Sequence, residues 1–171
     1  MIKNFDISKF KNNKPPSDNS LKTLSEIKQL LVKPINKKFV IDNDKVREGF
    51  KKIVDDKNID KIADASEPII LKLKKFYNRP RPKELAENFG MKIETVELPS
   101  MKTPSYPSGH SAQAYLLSSY LSNKYPSKAK ELNEKAKDIS DSRNIARAHY
   151  KSDSEFGKQL GIEMSKHIKE Q

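Results

Sequence analysis

Cations and prolines are concentrated in KLKKFYNRPRP, residues 72–82, which could bind a tetrahedral oxyanion. Lys74 and Arg81 are seven residues apart, about two helical turns, so both side chains could point from one helix face toward the same anion. Lys72 and Arg79 have the same spacing and define a second register. The alternative is that these are ordinary surface charges near a helix end.

A second segment, SYPSGHS at residues 105–111, has residue types that suit anion binding at the start of a helix. Gly109 lets the backbone approach a ligand closely, and the first amides of a helix attract an anion, to which Ser108 could add its hydroxyl. His110 would then stand in the first turn, beside the bound group. The same residues are also compatible with a simple N-cap followed by a surface histidine.

The third segment, SRNIARAHYKSD at residues 142–153, could hold an oriented histidine beside Arg143. Asp153 follows His149 by four residues, close enough for its carboxylate to accept a hydrogen bond from Nδ1 of the imidazole. An imidazole held in this way presents a neutral Nε2, as a nucleophile or a base requires. The alternative is a histidine at a helix end and an aspartate that caps the last helix.

The use of arginine supports an oxyanion site. The chain has 29 lysines, scattered among Asp and Glu, and this distribution is typical of a solvated surface even though the net charge is +11. Four of the five arginines lie in two pairs, in the first and third segments. Because a guanidinium binds an oxyanion bidentately and an ammonium does not, the two pairs indicate where an anion would bind.

Apolar residues at three- and four-residue spacing predict the helices that must position these segments. Residues 91–98 alternate weakly and predict a short strand or an extended loop, and Pro68 suggests a restart of one helix at Ser66. We expect an all-α single domain at 20–171, preceded by a flexible or surface-hugging basic arm at 1–19. The predicted helices cover residues 20–33, 44–56, 59–77, 82–89, 111–124, 127–148 and 153–169.

Length and composition exclude several classes of protein. The chain of 171 residues is close to the size of one domain, and 35% hydrophobic residues suffice for a core. No run of 18 apolar residues occurs and the first 20 residues show no signal peptide, so we expect a cytoplasmic protein without a transmembrane segment. The chain has no cysteine and only three histidines, a poor supply of metal ligands, so we expect neither a metal nor a cofactor.

Together the three segments resemble the signature blocks of the type-2 phosphatidic acid phosphatase superfamily, which includes the bacterial class A nonspecific acid phosphatases and the vanadium haloperoxidases. The family pattern is K-x6-R-P, then P-S-G-H, then S-R-x5-H-x3-D, and all three blocks occur here in that order. The resemblance covers residues 72–161, where Gly157 and Gly161 also match small positions. It favours the Lys74 and Arg81 register, and SYPSGH is most similar to the soluble acid phosphatases. Arg147 departs from the pattern, because relatives often have a small apolar residue there.

The resemblance implies a helical bundle of the acid phosphatase and haloperoxidase type, and a metal-independent phosphatase that hydrolyses phosphate monoesters through a phosphohistidine. His149 would be the nucleophile, Asp153 its orienting partner, and His110 the acid and base. The side chains and amides that would hold the phosphate oxygens are those of Lys74, Arg81, Ser108, Gly109 and Arg143.

Three other functions stay open at this stage. A lipid-phosphate or diphosphate phosphatase could work at a membrane surface, which a charge of +11 would attract. A vanadate-dependent haloperoxidase would use the same residue types, since vanadate mimics phosphate. A basic nucleic-acid-binding protein would leave the three ordered blocks unexplained. The expected partner is a small phosphate ester, the leaving group is not readable from the sequence, and a homodimer is compatible with an apolar helix face.

Overall fold

The protein folds into eight α-helices, three short 3-10 helices and no β-strand over residues 1–170, the part of the chain that the computed structural model describes. The predicted all-α class is confirmed. The helices are α1 (Leu21–Leu31), α2 (Lys37–Asp42), α3 (Val46–Lys51), α4 (Ile59–Tyr77), α5 (Pro82–Asn88), α6 (Gly109–Lys124), α7 (Ala129–Ile145) and α8 (Lys151–Ser165).

Six of the seven predicted helices correspond to α1 and α4–α8, with ends that differ by a few residues. The prediction for 44–56 is too long, because α3 covers only Val46–Lys51 and the chain then turns. The sequence pattern missed α2, which has Val40 as its one buried residue and therefore no apolar period. Asn36 begins α2 by accepting the Phe39 N–H at 3.1 Å.

Helix α4 passes through Pro68 without a break, so the restart expected at Ser66 does not occur. The helix ends at Asn78, whose φ of 48° places it in the left-handed region that often closes a helix. Residues 91–98 form an extended loop rather than a strand. No helix within residues 1–170 combines the length and the apolar character needed to cross a bilayer.

Helix α6 lies at the centre of the molecule and packs on α4, α7 and α8. Its contact with α8 is close because two glycines of α8 face it. A Cβ on Gly157 would lie 2.6 Å from the main-chain oxygen of Ser108, and a Cβ on Gly161 would lie 2.2 Å from that of Ala112. These glycines allow α8 to hold its N-terminus against the N-terminus of α6, where the second and third sequence segments meet.

Replacing Gly161 with alanine is expected to destabilise the protein by about 3 kcal/mol, because the added methyl would force two helix backbones apart. Chemical denaturation measures this change. The matched control is Gly49→Ala, also within a helix, where the new methyl would meet the flexible side chain of Lys135 at 3.3 Å and little loss is expected. Equal stability of the two variants would contradict the close packing of α8 on α6.

Residues 1–19 lie against the helical body. Phe5 and Phe10 pack on the main core, and Ile2 forms a single antiparallel bridge with Ile168. The hydroxyl of Tyr106 donates to the main-chain oxygen of Asn13 at 2.7 Å. The arm therefore contacts the loop that leads into α6, and the domain boundary at residue 19 stays a prediction.

Candidate active site

His149 and Asp153 form a buried pair at the start of α8. Nδ1 of His149 lies 3.0 Å from Oδ2 of Asp153, and Nε2 lies 2.9 Å from a terminal nitrogen of Arg81. Because an arginine can only donate, Nε2 is the acceptor and the hydrogen is on Nδ1. Burial and the nearby Arg81 and Lys74 keep the pKa of His149 well below its ordinary value. The imidazole is therefore neutral, with its Nε2 lone pair directed at a cation.

Besides His149, three other groups donate hydrogen bonds to the carboxylate of Asp153. Its Oδ1 accepts a hydrogen bond from Arg79 at 2.8 Å, while its Oδ2 also accepts from the Ser105 hydroxyl and from the Tyr150 N–H. Burial raises the pKa of Asp153 to about 6, and the charge of Arg79 opposes that effect. The two alternatives for Asp153 are therefore not exclusive, because Oδ2 both orients His149 and accepts the N–H of the N-cap residue Tyr150.

All three nitrogens of the Arg81 guanidinium donate hydrogen bonds. Its Nε donates to the main-chain oxygen of Thr103, one terminal nitrogen donates to the Ser100 oxygen, and the other donates to the Ala148 oxygen at 3.0 Å. That last nitrogen also donates to His149. Burial lowers the pKa of Arg81 to about 10, which leaves it charged at neutral pH. With the Thr103 hydroxyl as a fourth acceptor at 3.3 Å, these partners direct the fifth N–H at the lone pair of the histidine.

Lys74 and Arg81 reach this cluster by a route that the sequence did not predict. The expectation that both project from one helix face is wrong, because α4 ends at Tyr77 and Arg81 lies beyond the left-handed residue Asn78. The two registers differ in their lysines, since Lys72 is exposed while Lys74 is buried near His149. Both arginines are buried, Arg81 against His149 and Arg79 against Asp153.

Lys74 projects from the last turn of α4 toward the N-terminus of α6. Its ammonium donates to the main-chain oxygen of Pro104 at 2.8 Å, and a Cβ on Gly109 would lie 3.7 Å from its Cε. Burial, with Arg81 close by, lowers the pKa of Lys74 to about 7. A bound anion would favour the charged ammonium further, in the same direction as the nearby Asp153 carboxylate.

The second sequence segment forms the N-terminus of α6. Ser108 is the N-cap, and its Oγ accepts the Ser111 N–H at 3.2 Å, which leaves its own hydroxyl hydrogen free to donate. Gly109 is the first helical residue, and its amide is one of those that find no acceptor within a helix. The Ser108 N–H donates to the main-chain oxygen of Asp153 at 3.1 Å, which ties α6 to the His149 pair.

His110 and Arg143 stand at the side of the cluster nearer to solvent. A terminal nitrogen of Arg143 lies 3.5 Å from Nε2 of His110 and donates to a carboxylate oxygen of Asp44 at 3.1 Å. The main-chain oxygen of Asp44 lies 2.7 Å from Nε2 of His110. Burial, reinforced by Arg143, lowers the pKa of His110, and Asp44 acts in the opposite direction. A cavity of about 350 Å³ opens beside His110.

The structure therefore brings every predicted site residue into one cluster, and it adds four residues that sequence reasoning did not place there. Arg79 and Ser105 lie inside the first and second sequence segments, but the sequence did not predict that they contact Asp153. Glu26 on α1 pairs with Arg79 at 3.1 Å, and Asp44 precedes α3; both lie far from the segments and carry no local signal.

Arg147 does not join the cluster. Its φ is 59°, and its side chain donates to the main-chain oxygens of Glu94 and Lys33 at 3.3 Å. Arg147 therefore connects two loops near the surface and takes no part in the cluster.

The interior of the site has more cations than carboxylates. Lys74, Arg79, Arg81 and Arg143 are buried, and their buried acidic partners are Glu26 and Asp153, with Asp44 at the solvent edge. Charge of this kind is stabilised when an anion arrives. Within residues 1–170, no group of three or more His, Asp or Glu side chains is arranged to hold a metal ion.

The fold and this cluster define an all-α protein built around a buried group of cations. Residues 65–169 match the PAP2 superfamily, and the chain belongs to that superfamily. The resemblance seen in the three blocks is thereby confirmed.

Within the superfamily, the chain is similar in sequence to two curated acid phosphatases. The chain is 39% identical over 88 residues to a non-specific acid phosphatase of Salmonella typhimurium and, equally, to one of Salmonella typhi. The matched segment is 52% of this chain and 35% of each relative, so the similarity spans about a third of those proteins.

Proposed function

We propose that the protein is a metal-independent phosphatase that hydrolyses phosphate monoesters through a phosphohistidine on His149. The observation that carries the proposal is the neutral Nε2 of His149, which lies 2.9 Å from a buried Arg81 N–H while Nδ1 faces Asp153. A phosphate that displaces this hydrogen bond would meet the lone pair of Nε2, and its oxygens would lie next to the charge of Arg81.

In the first step, the Nε2 lone pair of His149 forms a bond to phosphorus as the bond to the ester oxygen breaks. His110 gives its proton to that departing oxygen, which leaves as a neutral alcohol. The hydrogen on Nδ1 stays with His149, and the Asp153 carboxylate stabilises the positive charge that develops on the imidazole.

In the second step, a water molecule occupies the place of the departed alcohol. His110 takes a proton from it, the water oxygen bonds to phosphorus, and the phosphorus–nitrogen bond breaks. The electron pair returns to Nε2, and inorganic phosphate is released. His110 ends protonated, as it began.

The equatorial oxygens of phosphorus carry most of the charge in the transition state. Lys74 and Arg81 would bind these oxygens from the α4 side, and Arg143 from α7. The Ser108 hydroxyl and the Gly109 amide would complete the set from the N-terminus of α6. Burial of these donors strengthens each interaction, because the local dielectric is low.

A substrate panel with and without chelator tests the proposal. We expect release of phosphate from p-nitrophenyl phosphate, nucleotides and sugar phosphates that is unchanged by EDTA, because buried side chains supply the positive charge. Orthovanadate should inhibit competitively as a mimic of the pentacoordinate state.

Two results would contradict the proposal. One is complete loss of activity on chelation that a divalent ion restores. The other is halide oxidation by peroxide when vanadate is bound, which would favour a haloperoxidase. Turnover confined to phosphate esters of lipids presented in vesicles would favour the membrane-surface alternative.

A further inference from the structure

Asp44 contacts both groups at the outer side of the site, although it lies outside the residues that match the family. It stands in the turn between α2 and α3, and its side chain is 34% exposed. Its main-chain oxygen lies 2.7 Å from Nε2 of His110. One carboxylate oxygen is 3.1 Å from a terminal nitrogen of Arg143 and 3.6 Å from the same Nε2.

The main-chain contact settles which nitrogen of His110 carries the hydrogen. A carbonyl oxygen can only accept, so Nε2 of His110 is a donor. His149 has the opposite arrangement, with its hydrogen on Nδ1 and its lone pair on Nε2. Nε2 of His110 therefore carries a hydrogen, whereas Nε2 of His149 carries a lone pair that can attack. A neutral imidazole is a very weak acid, so His110 can give a proton only as the imidazolium, the form that the Asp44 carboxylate favours.

The carboxylate of Asp44 also occupies the place of an anion. The Arg143 nitrogen and Nε2 of His110 are 3.5 Å apart, and both are donors. Two donors this close need an acceptor between them, and the Asp44 carboxylate oxygen is within 3.6 Å of each. Arg143 is otherwise held by the Ser142 hydroxyl and the Val40 main-chain oxygen, which leaves one N–H on each of its terminal nitrogens for a ligand.

We propose that Asp44 is a positioning residue that holds His110 as a proton donor and Arg143 in its binding orientation, and that it competes with phosphate for both. This inference rests on the proposed function, because it assigns His110 and Arg143 to the phosphate. The partial exposure of Asp44 allows its carboxylate to move aside when an anion enters.

The charge of Asp44 also affects the pH dependence. Its carboxylate favours the imidazolium of His110, against burial and against Arg143, both of which lower the pKa of His110. Loss of the carboxylate therefore lowers the pKa of His110 further, so that His110 loses its acidic proton at a lower pH. The charged or titratable groups around His110 are Asp44, Lys45, Arg47 and Glu48 from the α2–α3 turn and α3, Lys74 from α4, Arg143 from α7 and His149 before α8.

Asp44→Asn tests the inference, because asparagine keeps the main-chain oxygen and the shape but not the charge. We expect the alkaline limb of kcat for glycerol phosphate to move to lower pH, with kcat at pH 7 falling about tenfold. We expect inorganic phosphate, measured by calorimetry, to bind about tenfold more tightly, because a competing negative charge is gone. A merely structural role would not tighten phosphate binding.

The matched control is Asp42→Asn, since Asp42 is an exposed aspartate of the same region that pairs with Lys38 at 2.7 Å. Its pH profile and its affinity for phosphate should equal those of the unmodified protein. Asp44→Glu keeps the charge and should restore the alkaline limb at least in part. If Asp44→Asn and Asp44→Glu behave alike, or if Asp44→Asn has unaltered phosphate affinity and pH profile, the proposal is overturned.

Two measurements do not depend on turnover and separate this inference from the proposed function. The His110 ring titration, followed by NMR, should move to lower pH in Asp44→Asn, and inorganic phosphate should bind more tightly. These shifts in a protein that hydrolyses no phosphate ester would support the role of Asp44 while contradicting the proposed reaction. If the protein hydrolyses phosphate esters but Asp44→Asn shows neither shift, the proposed reaction would be supported and the role of Asp44 contradicted.

Discussion

Substitution of His149 by alanine is expected to reduce kcat for p-nitrophenyl phosphate by about 10⁴-fold or more, because the proposed nucleophile is absent. The other side-chain oxygen beside Arg81 is the Thr103 hydroxyl, 3.3 Å from a terminal nitrogen, and a hydroxyl without a base to take its proton is a much weaker nucleophile. Steady-state kinetics measure the loss. His149→Gln, which keeps a polar side chain of similar reach, should lose activity to the same extent.

The control for His149 is His167, which packs on Phe5 with ring centroids 5.6 Å apart and lies outside the cluster. His167→Ala should retain full turnover. Both His149 variants should still bind inorganic phosphate, since Lys74 and Arg143 remain. A His149→Ala protein that folds, binds phosphate and turns over within about tenfold of the original rate would exclude a covalent role for this residue.

Substitution of His110 by alanine is expected to separate substrates by the quality of their leaving group. A p-nitrophenolate ion departs with little help, whereas an alkoxide hardly leaves without a proton. The phosphorylation step with glycerol phosphate should therefore slow by about 10³-fold, and that step with p-nitrophenyl phosphate by less than about tenfold. Single-turnover kinetics must be used, because the second step should slow for every substrate.

The second step gives the His110 variant a positive signature. Without a base to activate water, phosphate from the aryl ester should accumulate on His149, where acid-labile phosphohistidine can be trapped and located by mass spectrometry. An equal loss on both substrates with no trapped phosphoenzyme would mean that His110 positions phosphate and that another group is the acid. The double variant with His149→Ala is the control and should trap nothing.

Six of the eight helices were predictable from sequence, and the two failures have physical causes. α1 and α6 each begin at a serine cap and were found with small errors at their ends. α2 was missed because one buried valine gives no period, while three-dimensional contacts decide its place. Pro68 lies inside α4 because tertiary packing of that helix overrides the local penalty of a proline.

The site could be predicted as a set of residues but not as a geometry. The contact of His149 with Asp153 was predictable because the two residues flank the N-cap Tyr150 and are only four residues apart, so little chain separates them. The route of Arg81 did not follow from helical spacing, because a left-handed residue and two prolines carry it out of the helix. Asp44 and Glu26 reach the site from distant parts of the chain, and sequence separation alone does not encode such contacts.

The excess of buried positive charge sets a conflict between stability and activity. Lys74 and Arg81 are removed from water and face each other without a full complement of carboxylates, so the empty protein holds a site that disfavours its own folded state. Selection for thermal stability alone would favour apolar residues at such positions, and each replacement would weaken the proposed binding of an oxyanion. Under the proposed function, a bound phosphate ester would supply the missing negative charge, and abundant substrate would then protect the protein from unfolding and proteolysis.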